Sequence, residues 1–587
     1  MSTNPQTSIR SSEFTMPNRT KGEIRRSQLI TTYGVGAIVA VEDESFMIAG
    51  IDRWSVGGPN LHEPRLERRL HVTGFVLPPA TEDRDDIPVV RFPTWVHCPS
   101  CKSLQAHQRF TSTFKNSCNT CGVGLIPSRF VLCCPKGHID DFPYFGWVHA
   151  GSPPAGDKHE MTIDTGGKTA SLGDIRIECT CGKDATLEGA FQRNAMGGVS
   201  KCSGRRPWLT TNDPDCDQVP RVLQRGASNV WFAVTHSAIS IPPWSEGAFK
   251  VLNKGWEILR HMPEEALAPT IEGMQLAEGT PYSVSDLVNA VLQRRRGESD
   301  TDAPTDTGLR RDEYQALVNG RPEETRDQDF VCTPADDPTA GITRWFSDVM
   351  VVKRLREVRA LQSFARVVPS ATQGHDDQPP LADTSPGWLP AIEVRGEGVF
   401  FDVHSAVLKE WEERAPVRAR VEILDLHYRG RFEQFGGHPD RVITPRLVMI
   451  HTLAHAMITQ WSLDCGYPAA SLRERLYVDD EMAGFLILTA TSDSAGSLGG
   501  LVGQADPDRL EVTLIEALTR CSWCSADPLC IEASAAGVDG LNLAACHACS
   551  LLPEVSCEEM NVLLDRALLI GTPDRPELGF FSEMLST

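Results

Sequence analysis

Eighteen cysteines in a chain of 587 residues constrain its fold more than any other feature, because most of them come in closely spaced groups. Six fall between Cys521 and Cys557, namely Cys521, Cys524, Cys530, Cys546, Cys549 and Cys557. Upstream lie Cys98 and Cys101 with Cys118 and Cys121, then Cys179 and Cys181 with Cys202 and Cys216, while Cys332 and Cys465 stand well apart. Close thiols make disulfides or hold metal, and the redox compartment decides between them. Met1 to Thr20 is polar and lacks the apolar core of a secretory signal. No run approaches the ~18–20 consecutive apolar residues of a membrane span. A cytoplasmic location is therefore expected, with reduced thiols and metal as their partner.

Cys98-Pro-Ser-Cys101 and Cys118-Asn-Thr-Cys121 make a C-x2-C-x16-C-x2-C pattern, the spacing of a zinc ribbon. Each pair curls into a knuckle whose amides face the sulfurs, and two knuckles complete a tetrahedral thiolate shell. Cys179, Cys181, Cys202 and Cys216 are more loosely spaced, with Gly182 relaxing the chain after the first pair. They form the second expected zinc group. Cys134 and His138, in Cys133-Cys134-Pro-Lys-Gly-His138, have ligand spacing but no obvious second pair. They either hold a separate metal or pack beside the first zinc. At the C-terminal end, Cys546, Cys549 and Cys557 form a tight trio, with Cys530, and after it Cys524, the candidates for the fourth place. A closed four-cysteine shell has no open coordination position, so such zinc is structural and cannot activate water. The expectation is about two or three structural Zn2+ ions.

Two other motifs invite catalytic readings. His451-Thr-Leu-Ala-His455 sets two histidines four apart on one helix face, but Thr452 stands where a zinc protease needs glutamate. The surrounding helix is apolar all round, which favours core histidines. The alternative is a metal-dependent nucleic-acid hydrolase using His451 and His455 with Asp479, Asp480 or Asp493. The loop Ser492 to Gly500 is glycine-rich and could face an anion through its amides. The Gly-x4-Gly-Lys-Ser/Thr phosphate loop is absent from the sequence, which argues against an ATPase centre.

Patterning suggests an α+β multidomain protein: a small N-terminal β-rich domain, zinc-ribbon-like modules, a central helical region and a C-terminal α/β zinc-binding domain. The expected boundaries are a disordered tail at 1–20, the β-rich domain at 21–90 and the zinc modules at 91–225. A mainly helical region follows at 226–370 with a mobile loop at 295–307, then a linker at 371–390 and the last domain at 391–587. Strands are expected over Leu29 to Thr32, Ala37 to Val41, Ser45 to Ile51, Val230 to Thr235, Ile392 to Val403 and Ala483 to Thr491. Helices are expected over Val284 to Arg294, Trp345 to Phe364, Ser405 to Arg414 and Pro445 to Leu463. Ser471-Leu-Arg-Glu474 has capping-box spacing for a short helix, and Asp506-Pro507 opens another that runs to about Cys521.

The formal net charge of −21 disfavours a chain that grips nucleic acid unaided, because phosphate binding is dominated by Lys and Arg. Local basic groups remain: Lys21, Arg25 and Arg26; Arg65, Arg68 and Arg69; and Lys353, Arg354, Arg356 and Arg359. Of these, Arg25, Arg26, Lys353, Arg354 and Arg356 are the candidate nucleic-acid contacts.

Several blocks together resemble the DrmB subunits of bacterial DISARM anti-phage systems. They are Arg25-Arg-Ser-Gln-Leu-Ile-Thr-Thr-Tyr-Gly34, Cys134-Pro-Lys-Gly-His-Ile-Asp-Asp-Phe-Pro143, Glu393-Val-Arg-Gly-Glu-Gly398 and His451-Thr-Leu-Ala-His455. Near the end come Ser525-Ala-Asp-Pro-Leu-Cys530, Asn542-Leu-Ala-Ala-Cys-His-Ala-Cys549, Ser556-Cys557-Glu558 and Leu564-Asp-Arg566. Residues 391–587 also resemble the zinc-binding domain fused behind the motor of certain DNA-repair helicases, here without the motor. The resemblance implies a non-catalytic scaffold whose motor is a separate SNF2-like helicase subunit, DrmA. The pair would bind invading phage DNA, with methylation by another component marking host DNA as self.

Overall fold

A computed structural model describes residues 6–11, 20–79, 87–110, 115–151, 159–166, 171–298, 304–368, 378–435, 439, 441–489 and 500–585. Helix and sheet are mixed throughout, and the chain divides into two compact units built from separated stretches. One holds residues 1–61, 72–236 and 359–392; the other holds 62–71, 237–358 and 393–587. No helix among the described residues is long and apolar enough to cross a membrane.

The first unit carries three sheets. A five-stranded sheet has the order Thr20–Arg25, Gln6–Ser11, Ile87–Arg91, Glu44–Ile48, Ile38–Val41. Gln6–Ser11 thus forms a strand inside the stretch expected to be a disordered tail, because its backbone pairs on both sides. Leu29 to Thr32, expected as a strand, lies mostly in a one-turn helix, Gln28–Thr31, whose Leu29 and Ile30 are buried. A six-stranded sheet runs Asp184–Thr186, Arg176–Cys179, Met161–Asp164, Ser103–Ala106, Trp95–His97, Ile126–Pro127. Three short strands, Ile139–Asp141, Phe130–Cys133 and Arg221–Gln224, complete the unit's sheets. Leu104, Phe130, Leu132, Phe142, Tyr144 and Ile177 form a core beneath them. Cysteines lie at the ends of these short strands, so the sheets present thiols at their turns.

In the second unit, helices Gly247–Asn253, Glu264–Gly273 and Val284–Glu298 bury Phe249, Leu252, Ile271, Leu287 and Val291 against one another and against Trp256 of the short helix Trp256–Leu259. The segment 295–307 begins in the last of these helices, and its residues 304–307 run into the helix Asp306–Asn319. Its middle lies outside the described residues, as do residues 371–377 of the expected linker, while Leu381, Ala382 and Trp388 in the rest of it are buried.

Trp345 to Phe364 is not a helix but most of the strand Phe346–Ala365. Val349, Met350 and Val352 are all buried although they share no single face. A β-branched run covered on both sides shows no alternation, and its chance spacing imitates a helix. Ser471 to Glu474 likewise starts no helix. Leu472–Val478 is a strand paired antiparallel with Ala483–Thr489, which pairs in turn with Leu389–Val403.

The helix Pro445–Cys465 packs across these last strands. Thr444 caps it by accepting from the Leu447 amide, Pro445 occupies its first turn, and Gly466 ends it in the left-handed conformation. Its buried residues run from Leu447 to Trp461 with few breaks, so it is covered all round. Polar side chains on such an element need partners inside the protein.

Candidate metal centres

Each cysteine group is assembled by a tight turn. Cys98 follows the strand Trp95–His97, and Lys102 and Gly122 each sit in the left-handed region just after the second cysteine of a knuckle. Matching amide bonds close the two turns, Lys102 to the Cys98 carbonyl at 2.9 Å and Gly122 to the Cys118 carbonyl at 2.8 Å. The Cys101 amide also points at the Cys98 sulfur at 3.4 Å. Cys98, Cys101, Cys118 and Cys121 thereby converge, with the Cys101 and Cys118 sulfurs 3.9 Å apart.

The expected second group is redistributed. Cys202 and Cys216 converge not with Cys179 and Cys181 but with Cys134 and His138. A turn through Gly137, at φ +80°, brings His138 Nδ1 to 3.4 Å from the Cys134 sulfur and 3.6 Å from that of Cys202. The other ring nitrogen, Nε2, lies 3.3 Å from the Asp213 carboxylate, which orients the ring. Cys134 reaches Cys216 at 4.0 Å, so His138 supplies the missing fourth donor of this group. The Cys202 thiol is pulled down to about 4, first by a hydrogen bond from Cys134 and then, against burial, by His138 and the Gly204 amide.

Cys179 and Cys181 instead meet His149 and His159, two residues with no motif to announce them. His149 Nδ1 donates to the Phe145 carbonyl at 2.7 Å, leaving Nε2 as a lone pair 3.3 Å from the Cys181 sulfur. His159 Nδ1 lies 3.2 Å from the Cys179 sulfur. The Cys181 thiol is held down at about 6, chiefly by the Lys183 amide and then by His149.

At the C-terminal end, Cys524 and Cys530 are both members of the group, together with Cys546 and Cys549. Sulfur separations are 3.4 Å for Cys524–Cys546, 3.7 Å for Cys530–Cys549 and 3.8 Å for Cys546–Cys549. Cys557, expected here, is elsewhere, and Cys521 lends only its carbonyl, to Arg566 at 2.6 Å.

These distances fit zinc. Bonds of about 2.3 Å to sulfur at tetrahedral angles place neighbouring sulfurs about 3.8 Å apart. All eighteen cysteines are free thiols, and none of the quoted sulfur pairs is near the ~2.05 Å of a disulfide.

His451 and His455 are fully buried, as expected of core residues. They nevertheless form a fifth convergent group among the described residues, with Glu474 and Cys557. The carboxylate beside them is Glu474, not Asp479, which caps the turn to Met482 and pairs with Arg311. Asp480 is exposed, and Asp493 and the loop to Gly499 lie outside the described residues. Among the described residues, neither Asp479 nor Asp480 joins the two buried histidines.

The candidate nucleic-acid contacts are scattered. Arg25 and Lys353 are exposed and Arg26 is half-buried. Arg354 pairs with Glu323, while Arg356 is buried and bonded to Glu393, Ser240 and the His62 carbonyl. The strand is covered on both faces along this stretch, so Arg356 is buried, and it pairs with Glu63 rather than with a phosphate.

Two family models match the chain. The family described as Domain of unknown function (DUF8724) matches residues 25–232, which contain the first three groups. The MrfA Zn-binding domain matches residues 453–550, which contain the C-terminal four cysteines. The curated DISARM protein DrmB of Bacillus paralicheniformis is 29% identical over 565 residues, covering 92% of this chain and 99% of that protein. The chain is a homologue of DrmB. The likeness to DrmB runs through both matched regions rather than through one shared module.

Proposed function

We propose that this chain is a zinc-braced, non-catalytic subunit that pairs with a separate SNF2-like helicase, DrmA, and acts with it on phage DNA. The observation that carries the reading is the end-to-end similarity to DrmB, joined to a closed thiolate group in the MrfA-type domain. Four groups with at least two sulfurs each would take one structural zinc apiece, more than the two or three ions expected from sequence. Four protein donors leave no coordination position for water, so these ions hold loops in place and do no hydrolysis. A small module without a large core gains ~10 kcal/mol or more from such a site. The rigid loops that result are suitable for docking on a partner protein.

Co-purification tests the reading. The tagged chain, co-expressed with a DrmA-type helicase, should retain that helicase and alter its ATPase rate or DNA affinity. No co-elution together with unchanged helicase kinetics would refute it, as would ATP hydrolysis or strand cleavage by the chain alone.

A further inference from the structure

We propose that His451, His455, Glu474 and Cys557 form a further metal site, for a divalent ion of zinc's class, sealed in the core of the second unit. The four residues come from three places. The helix Pro445–Cys465 supplies both histidines, one turn apart on the same face. The strand Leu472–Val478 supplies Glu474, and the segment after the turn Glu554–Ser556 supplies Cys557.

Their donor atoms crowd together. His451 Nε2 lies 3.0 Å from His455 Nε2, 3.2 Å from Glu474 Oε1 and 3.3 Å from the Cys557 sulfur. His455 Nε2 is 3.6 Å from the same carboxylate oxygen. Zinc bonds of about 2.0–2.3 Å at tetrahedral angles put neighbouring donors about 3.3–3.8 Å apart. Two of the four separations, 3.3 and 3.6 Å, lie in that range, and the other two, 3.0 and 3.2 Å, are slightly shorter.

Hydrogen bonds around it aim the donors inward. His455 Nδ1 donates to the Ser550 carbonyl at 2.7 Å, so its Nε2 offers a lone pair to the cluster. The Glu558 amide donates to Glu474 Oε1 at 3.0 Å, and the Asn561 amide to the Cys557 sulfur at 3.2 Å. Such outer contacts are what orient metal ligands. The other carboxylate oxygen, Glu474 Oε2, is buried with no hydrogen-bond partner. A carboxylate that is 0% exposed needs a cation, yet the neighbouring Arg473 and Arg475 are directed to Glu357 and Glu313.

Charge balance favours a dication. One thiolate, one carboxylate and two neutral imidazoles sum to −2, which a divalent ion cancels. A neutral assembly is the kind a dry core tolerates, whereas a four-thiolate zinc keeps two negative charges and stays near water. All four ligands are buried, so the ion is structural. It would pin together the two ends of the segment 451–557, on which the C-terminal cysteine group is carried.

Crystals of the full-length wild type, measured on both sides of the zinc absorption edge, should give an anomalous peak between these four side chains. The variant Glu474→Gln/Cys557→Ser should hold one zinc fewer per chain by elemental mass spectrometry. Peaks at the cysteine groups but none here, or unchanged zinc in the soluble variant, would overturn this site and leave the zinc-braced reading intact. Peaks nowhere would overturn both. If the variant does not fold, the wild-type map decides.

Discussion

His138 is the residue on which the reading of the second metal group turns. It replaces a cysteine that spacing alone assigned wrongly, and it touches both Cys134 and Cys202 through one nitrogen. His138→Ala should therefore cost one zinc per chain and leave the ions at Cys98 and at Cys524 in place. Elemental analysis of the purified variant checks this; undiminished zinc would return the site to Cys179 and Cys181. Asp402 makes a different point about single groups. Burial lifts its carboxyl to about 6, opposed by the Tyr314 hydroxyl and His404 and reinforced by Asp348. A carboxyl raised in the folded state adds stability that is complete below its unfolded value of about 4 and is lost as pH rises through about 6. Asp402→Asn has no such dependence. Thermal melts should show the variant gaining on wild type between about pH 4 and 7, and a constant gap across that range would contradict the assignment.

At the scale of elements, the strand Leu472–Val478 shows how a buried polar face is managed. Alternation sends Glu474 toward the helix histidines and Arg475 the other way, into a fork with Glu313 and a contact with Ser237. Arg475 and Glu313 are both essentially unexposed. Removing one partner strands the other's charge, so Glu313→Ala should cost about 3–5 kcal/mol. Denaturant titration followed by tryptophan emission would register it, and a loss well under 1 kcal/mol would mean water reaches the pair. The same strand explains what sequence could disclose. Local starts were readable: Pro445 and Asp506-Pro507 open the helices Pro445–Cys465 and Pro507–Cys521. So were both C-x2-C knuckles, because their geometry is set within four residues. Glu474 was misread because a capping-box spacing is satisfied by chance and the strand's covering is decided by distant packing. His149 and His159 were invisible for a related reason. They meet Cys179 and Cys181 only after the chain between them has folded into sheet, and nothing local records that distance.

For the whole molecule, the net charge of −21 and the fate of the basic residues bear on how DNA would be held. Of five candidate contacts, Arg354 and Arg356 already neutralise acids of this chain, which leaves Arg25 and Lys353 as the exposed pair. Each phosphate neutralised by a protein adds about 0.9 to the slope of log affinity against log salt. If Arg25 and Lys353 are the contacts, that pair adds at most about two to the slope, too little to hold duplex DNA by itself. If the chain is a brace for a separate motor, the motor supplies the phosphate track. The helicase alone and the helicase with this subunit should then show salt slopes that agree within about two, although the absolute affinity differs. Fluorescence anisotropy with a labelled duplex, repeated from low to moderate salt, measures both slopes. A subunit that steepened the slope by four or more would carry a basic groove of its own, and the acidic balance would then be a property of its remaining surface. A further variant, Arg25→Glu/Lys353→Glu, should leave the cysteine groups loaded with zinc and lower the complex's slope by no more than that same two.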